Sequence, residues 1–168
     1  IEMFLIERAS FWLNDRSAGF ALVLTGMLIC SGLGSMLSGR FAPVAASASL
    51  VCTAIIVVWA AVVLVFLQDL MLATLGLPWL VRAVLVLAVA APVSVALGLP
   101  FPLGLSRVGS GGFLPWAWGL NGAFSVVSTP LAKLTAIGFG YDRVLLCALV
   151  LYVTAWLSFP RRQSGVPT

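Results

Sequence analysis

The sequence contains no histidine and few charged residues, which make up 8% of its 168 positions, whereas 62% are hydrophobic. A soluble domain carries about 25% charged residues. A chain of this length also has too little interior to remove so much apolar surface from water. These proportions exclude a soluble enzyme domain, a nucleic-acid-binding module and a disordered chain. They indicate an integral membrane protein.

The missing histidine also limits the chemistry open to the chain. It removes the commonest general acid–base group and excludes a zinc site built from Cys and His. The cysteines, Cys30, Cys52 and Cys147, lie in apolar runs without a CxxC pair, and we interpret them as small packing residues. The sequence shows no nucleophile–base pair and no haem ligand pair. We therefore expect no catalytic residue, no metal and no cofactor within this chain.

Basic residues are scattered along the chain. The nine Lys and Arg contribute to a formal net charge of +4, but only Arg161 and Arg162 are adjacent. Binding to a row of phosphates needs a basic patch, so nucleic acid is not expected as a partner. Single basic residues between apolar stretches are typical of helix ends in membrane proteins.

Five stretches are apolar over lengths that reach or approach the roughly 20 residues of a membrane-spanning helix. We predict spans at residues 17–38, 44–67, 79–99, 115–139 and 144–159. Residues 70–78 are predicted to form an interfacial turn, residues 106–112 a flexible linker, and Pro92 a kink. The predicted fold class is all-α, a polytopic integral membrane helix bundle. It forms a single domain over residues 1–168, with five full spans and a partial N-terminal helix.

Residues 1–13 are too short and too charged to cross a membrane alone. They predict either an interfacial amphipathic helix or the second half of a span that begins before Ile1. The second alternative makes the chain a fragment of a larger protein. Asn14 and Asp15 then form the tight turn into the first full span.

The charges between the predicted spans indicate an orientation. Arg40, Arg107, Arg161 and Arg162 fall on one side of the membrane, whereas acidic residues dilute the basic ones on the other side. Basic residues favour the cytoplasmic side. We therefore expect the C-terminus in the cytoplasm.

Lys133 is the most unusual charged residue, because it lies inside the fourth predicted span. Asn121, Ser125 and Thr129 precede it at intervals of four, so these residues form a slowly drifting polar stripe on one helix face. A functional interpretation is that the stripe lines a polar path or holds an anionic group. A structural interpretation is that it supplies hydrogen bonds between helices while the Lys133 side chain reaches the membrane interface. The structural interpretation is favoured.

Glu2 is the other candidate for an intramembrane polar site. It is either a buried acid that could pair with Lys133 or a solvated residue at the interface.

Small residues form a second pattern between Ser31 and Gly39. The glycines there do not follow a strand, as those of a dinucleotide-binding loop do. Close packing between membrane helices is the usual role of such residues. We assign this packing role to Gly32, Gly34, Gly39 and Gly122.

Four segments together resemble a known family. The similarity lies in IEMFLIER at 1–8, SGLGSMLSGRF at 31–41, LGLPFPLGLSRV at 97–108 and PWAWGLNGAFSVVSTPLA at 115–132, taken in this order. They are similar to the C-terminal membrane half of bacterial membrane-bound spermidine-synthase-like proteins. Those proteins join a polyamine aminopropyltransferase-type domain to a transporter-like membrane domain. The resemblance implies a bacterial cytoplasmic membrane. It also implies that residues 1–13 end a spanning helix begun upstream, with the family's charges at Glu2 and Arg8.

The resemblance also implies that Trp116, Trp118, Asn121 and Gly122 belong to a family signature. Lys133 departs from the family, in which an apolar residue is expected at that position. The glycine-rich loop and paired aspartates of the aminopropyltransferase domain do not occur in this sequence. That activity is therefore not expected of these residues.

Three functions fit these features. The leading one is a non-catalytic membrane domain of a spermidine-synthase-like protein that acts as an anchor, a scaffold or a partner-binding subunit. The first alternative is a transporter-like domain that moves a small polar or cationic solute. The second alternative is an accessory subunit of a large membrane complex. All three imply the lipid bilayer and other membrane helices or subunits as partners.

Overall fold

The computed structural model describes residues 1–108 and 113–159, and these residues form a bundle of α-helices. The helices are α1 (Glu2–Leu13), α2 (Arg16–Phe41), α3 (Ala45–Thr74), α4 (Trp79–Gly98), α5 (Pro100–Val108), α6 (Phe113–Phe139) and α7 (Tyr141–Leu157). A 3-10 turn at Ala42–Val44 joins α2 to α3. The described residues contain no strand, so the predicted all-α class is confirmed.

Three helical runs among the described residues are long and apolar enough to cross a membrane. They are Arg16–Thr74, which combines α2 and α3, Trp79–Arg107, which combines α4 and α5, and Phe113–Phe139. The apolar residues of the chain are therefore concentrated in helices that are long enough to span a membrane. α7 has 17 residues and α1 has 12, which correspond to about 25 and 18 Å of helix.

Several helix boundaries differ from the sequence prediction, and the largest differences lie at the end of α3 and at the predicted linker that follows α4. α3 continues to Thr74, whereas the predicted span ends at residue 67, because the residues that follow are good helix formers and Met71 is buried in the core. The predicted linker at 106–112 begins inside α5, whose first residue is Pro100. Proline is well placed at a helix start, where no amide hydrogen is needed. The rest of that linker, residues 109–112, lies outside the described residues, as do Arg161 and Arg162.

The predicted turn at Asn14 and Asp15 is present and has a clear physical basis. Asn14 adopts the left-handed conformation at the end of α1 (φ 54°), which asparagine tolerates better than most residues. The Asp15 carboxylate then accepts hydrogen bonds from the backbone N–H groups of Ser17 and Ala18, at 2.9 and 3.0 Å. This N-cap begins α2 in the direction opposite to α1.

Hydrogen bonds at the two ends of the bundle fix the directions of α1 to α4. At the end that holds the α1–α2 turn, here named the near end, Arg82 Nη1 donates to the Trp12 carbonyl (2.7 Å) and Trp12 Nε1 donates to Thr74 Oγ1 (2.9 Å). At the opposite, far end, Arg107 Nη2 donates to the Pro43 carbonyl at 3.3 Å. α2 and α4 therefore run from the near end to the far end, and α3 runs back between these crossings.

α6 and α7 continue the same alternation. Near the start of α6, the Trp118 ring meets the Phe101 ring of α5 edge to face, with centroids 5.1 Å apart, which places this part of α6 at the far end. Asp142, in the first turn of α7, pairs with Arg8 of α1 at 2.7 Å. α6 therefore runs toward the near end, and α7 returns to the far end.

The core is centred on α1 and α4. α4 buries residues at intervals of three and four, which lie on one helix face: Ala83, Val86, Ala90, Val93 and Ala96. α1 buries most of its apolar side chains, including the large side chains of Phe4 and Trp12. Trp59 of α3 packs against α4 and donates from Nε1 to the Val89 carbonyl at 2.8 Å.

α2 and α4 approach each other so closely that glycine is required on both helices. A Cβ atom on Gly34 would overlap the Val95 carbonyl oxygen, and a Cβ atom on Gly98 would overlap the Ser31 carbonyl oxygen. Gly34 lies on α2 and Gly98 lies on α4, so the two backbones are in direct contact over about one helical turn. Small residues permit such approach between membrane helices.

We expect Gly34→Ala to destabilise the protein although alanine is the better helix former. The added methyl group must displace the α4 backbone, and overpacking of this kind costs about 1–3 kcal/mol. The measurement is the midpoint of thermal unfolding in detergent, which falls by about 2–4 °C for each kcal/mol in a chain of this size. Gly32→Ala is the matched control, because a Cβ atom on Gly32 meets open space. Equal shifts for the two variants would contradict the close approach.

Candidate functional site

Lys133 lies at the near end of the bundle, where its ammonium group contacts the first residue of α7. The Nζ atom donates a hydrogen bond to Tyr141 Oη at 2.8 Å and lies 5.5 Å from the centre of the Tyr141 ring. A cation near an aromatic face is attracted by the ring. Lys133 therefore closes the α6–α7 hairpin through a side chain that reaches the end of the helix.

The ion pair between Arg8 and Asp142 lies beside this contact. Its charged atoms are 2.7 Å apart, and the two side chains are 35% and 57% exposed. The Arg8 guanidinium also lies 5.2 Å from the centre of the Phe4 ring. A partly exposed pair of this kind contributes up to about 1 kcal/mol. It ties α1 to the start of α7.

Of the two alternatives for Glu2, the pair with Lys133 is not found among the described residues, and Glu2 is exposed. Among the described residues, the ion pair that the structure contains joins Arg8 to Asp142. Glu2 precedes Arg8 by six residues on α1, so it lies about 9 Å farther from the near end at 1.5 Å per residue. Lys133 points instead toward Tyr141, at the level of Asp142.

The other members of the predicted stripe form hydrogen bonds within α6. Ser125 Oγ donates to the Asn121 carbonyl at 2.8 Å, and Thr129 Oγ1 donates to the Ser125 carbonyl at 3.3 Å. Hydroxyl groups commonly bond to the carbonyl one turn earlier in a helix. Within the part of the chain that the structure describes, these hydroxyls do not donate to another helix, and the Asn121 side chain is exposed.

A crevice separates the middle of α6 from the rest of the bundle. α6 contacts its neighbours through Trp118 toward one end and Lys133 toward the other. Between these contacts, its inward-facing residues remain exposed, including Phe124 at 70%. The crevice holds two cavities, and the side chain of Tyr152 lines both.

The two cavities differ in their linings. The far cavity, of about 330 Å³, lies toward the far end and is rich in aromatic residues; its lining includes Ser49, Thr53, Phe101, Phe113, Tyr152, Trp156 and Phe159. The middle cavity, of about 430 Å³, lies between α1, α6 and α7; its lining includes Glu2, Met27, Leu97, Ser128, Thr129, Thr135, Cys147, Ala148 and Tyr152. Both volumes are in the range of small-molecule sites, about 300–1,000 Å³.

The structure therefore divides the predicted polar site into two parts. Glu2 and Thr129 share the middle cavity, and Asn121 and Ser125 lie on α6 between the linings of the two cavities. Lys133 lines neither cavity. Tyr152 lines both cavities, but no local sequence pattern marks it as a lining residue.

The predicted packing glycines also separate into two groups. Gly34 lies against the α4 backbone, as a packing glycine does. Gly32, Gly39 and Gly122 face open space within this chain, so packing at these positions requires a helix from outside the described residues and stays a prediction. Gly98, near the end of the predicted span at 79–99, is a further close-contact position, against the Ser31 backbone.

The chemistry that this arrangement supports is binding. The residues in the described ranges contain no group of three or more Cys, Asp or Glu side chains that could hold a metal ion. The polar groups around the middle cavity are the Ile1 amino group, the Glu2 carboxylate, the Cys147 thiol and the hydroxyls of Ser128, Thr129, Thr135 and Tyr152. Such groups can donate and accept hydrogen bonds.

We expect a double-mutant cycle to show that Lys133 is coupled to Tyr141 and not to Glu2. Lys133→Met and Tyr141→Phe remove the same hydrogen bond, so their effects on the free energy of unfolding should differ from additivity by about 0.5–1 kcal/mol, the low end for residues in contact. Lys133→Met and Glu2→Gln are the control pair and should be additive within about 0.5 kcal/mol. Coupling to Glu2 alone would contradict the observed contact.

No protein-family model, curated protein or solved structure matches the chain. Function is therefore inferred from the helices, contacts and cavities described above.

Proposed function

We propose that the chain is a non-catalytic helical membrane domain that anchors a larger assembly and binds partner helices. The observation that carries this proposal is the exposure of α6. This helix has 27 residues and is apolar enough to cross a membrane, but Ala136 is its one buried residue among those described. Its outward face includes Val126 and Ile137, each 74% exposed.

Small residues on the outer face of α6 favour a helix as its neighbour. Gly119 and Gly122 have open surroundings, and they precede Val126 by seven and four residues, so the three residues lie on one side of the helix. Membrane helices commonly approach one another closely through such small residues.

The alternating helix directions support a topology of five spans. In this proposal α2, α3, α4, α6 and α7 cross the membrane and α1 packs among them. The far end, with Arg40 and Arg107, faces the bacterial cytoplasm. α5 has the strongest separation of polar and apolar faces among the helices, which is typical of a helix that lies at the interface.

We further propose that the domain is the membrane part of a spermidine-synthase-like protein. Two contacts support the family assignment, because both use residues that the resemblance identifies. Arg8, the family-type basic residue, joins α1 to α7 through Asp142. Trp118, in the signature segment, packs against Phe101 in the segment at 97–108.

We expect cysteine labelling to place the two ends of the bundle on opposite sides of the membrane. In a variant with alanine at the three native cysteine positions, Gly76→Cys marks the near end and Ser106→Cys marks the far end; both positions are exposed. A membrane-impermeant maleimide added to right-side-out vesicles should label Gly76→Cys at once and Ser106→Cys only after permeabilisation. Labelling of both from outside would overturn the five-span topology, and removal of the protein by alkaline carbonate would overturn the anchor.

We expect photo-crosslinking to detect a partner on the outer face of α6. A benzophenone side chain at Val126 should give a discrete protein adduct in native membranes. The matched control is the same side chain at Val65 on α3, which is 63% exposed and should give lipid adducts only. Lipid adducts at both positions would eliminate the partner-binding role while leaving the anchor intact.

A further inference from the structure

We infer that the far cavity binds the ring of a membrane quinone, a neutral planar molecule whose carbonyl oxygens accept hydrogen bonds. This site goes beyond the anchor and partner-binding role, because it takes a small molecule and does not use the outer face of α6. It lies within a single cavity of about 330 Å³, between α3, α5, the start of α6 and the end of α7. The charge, the polar groups and the aromatic wall of this cavity support the inference.

The lining of the far cavity carries no formal charge. None of the described residues that line it is Asp, Glu, Lys or Arg. Arg107, on α5, donates to the Pro43 carbonyl at 3.3 Å and is not part of the lining. A charged ligand would therefore lose its water without gaining a partner of opposite charge, which is costly in a membrane. The lining favours a neutral ligand.

The Ser49 hydroxyl is a buried hydrogen-bond donor in this lining. Ser49 is 3% exposed, and its hydroxyl has no hydrogen-bond partner within the part of the chain that the structure describes. Thr53, one turn later on α3, differs because its Oγ1 atom donates to the Ser49 carbonyl at 3.0 Å. A buried hydroxyl without a partner is costly. An acceptor atom on a ligand in the cavity removes this cost.

The other polar groups of the lining add donors. Tyr152 and Ser158 contribute hydroxyl groups, and Trp156 contributes an indole N–H, which donates but cannot accept. Ser158 is exposed, so solvent can serve it, whereas Tyr152 and Trp156 are partly buried. The lining thus has more hydrogens to donate than its own residues accept. A ligand whose polar atoms are acceptors fits these groups, and the carbonyl oxygens of a quinone are such atoms.

Aromatic side chains form much of the wall and favour a planar ligand. They come from three helices and the residues after α7: Phe101, Phe113, Tyr152, Trp156 and Phe159. Aromatic rings pack well against other rings, offset or edge to face. Water can satisfy the hydroxyls but does not cover these rings, and a lipid tail covers the rings but offers no acceptor. A quinone ring does both.

The volume and the opening of the cavity fit a ring that carries an apolar tail. About 330 Å³ lies near the lower end of the range for small-molecule sites, which is suited to the ring alone. Phe113 lines the cavity but is 50% exposed, so the cavity opens at the surface of the bundle. The tail of the quinone can therefore extend into the surrounding lipid.

The test measures binding of tritiated decylubiquinone to the protein in phosphatidylcholine nanodiscs, by scintillation proximity, as the signal in excess of empty nanodiscs. Saturable binding is expected although lipid is in large excess. Ser49→Ala should weaken it by about three- to tenfold, because it removes one hydrogen bond. Ser47→Ala is the matched control and should keep the wild-type affinity, because Ser47 is on the same helix but is exposed and does not line the cavity.

Two further arms separate a quinone site from an apolar one. Decylbenzene, which has the same tail on a ring without carbonyl groups, should compete at least tenfold less well than unlabelled decylubiquinone. Ala155→Trp, which fills the far cavity, should abolish binding in protein that elutes as a monodisperse peak. Val150→Trp, on the same helix but in neither lining, should keep it.

The proposal is overturned by an absence of saturable binding, by wild-type affinity in Ser49→Ala or Ala155→Trp, or by equal competition from decylbenzene. None of these results changes the outcome of the crosslinking at Val126, so the quinone site and the partner-binding role fail separately.

Discussion

The direct contact between the backbones of α2 and α4 determines how the other helices are arranged. In a bilayer, lipid tails are as apolar as leucine side chains, so helices associate through close packing more than through the hydrophobic effect. Gly34 and Gly98 permit the closest packing in this structure, because each meets a carbonyl group of the opposite helix. No room remains for α3 between α2 and α4. α3 packs instead against α4 and α7, and Trp59 secures it by donating to the Val89 carbonyl.

The distribution of hydrogen bonds follows from the same low-dielectric setting. Side chains that join separate helices lie mostly at the two ends, where Arg82 contacts Trp12 and Arg107 contacts Pro43. In the middle of the bundle, hydroxyl groups such as those of Thr53 and Ser94 donate to their own helices one turn earlier. A buried polar group without a partner is costly, and this local bond satisfies the group wherever the neighbouring helix lies.

The sequence predicts the class of the fold well because composition and helix punctuation are local properties. The turn at Asn14 and Asp15 is found where its residues predict it, and α4 ends at Gly98, within one residue of the predicted end of the span at 79–99. The end of α3 is predicted too early because the apolar span ends at residue 67, whereas the helix continues to Thr74, just before Gly76 and Pro78. Span length and helix length are separate properties, since a helix can extend beyond the apolar part of its sequence.

The candidate site is harder to predict because it depends on which helices become neighbours. Intervals of four place Asn121, Ser125 and Thr129 near one another on α6, but they do not reveal that Glu2 of α1 shares a cavity with Thr129. The same limit applies to glycine. Gly32 and Gly34 are two residues apart and appear equivalent in the sequence, but only Gly34 faces α4, because residues two apart lie on different sides of a helix.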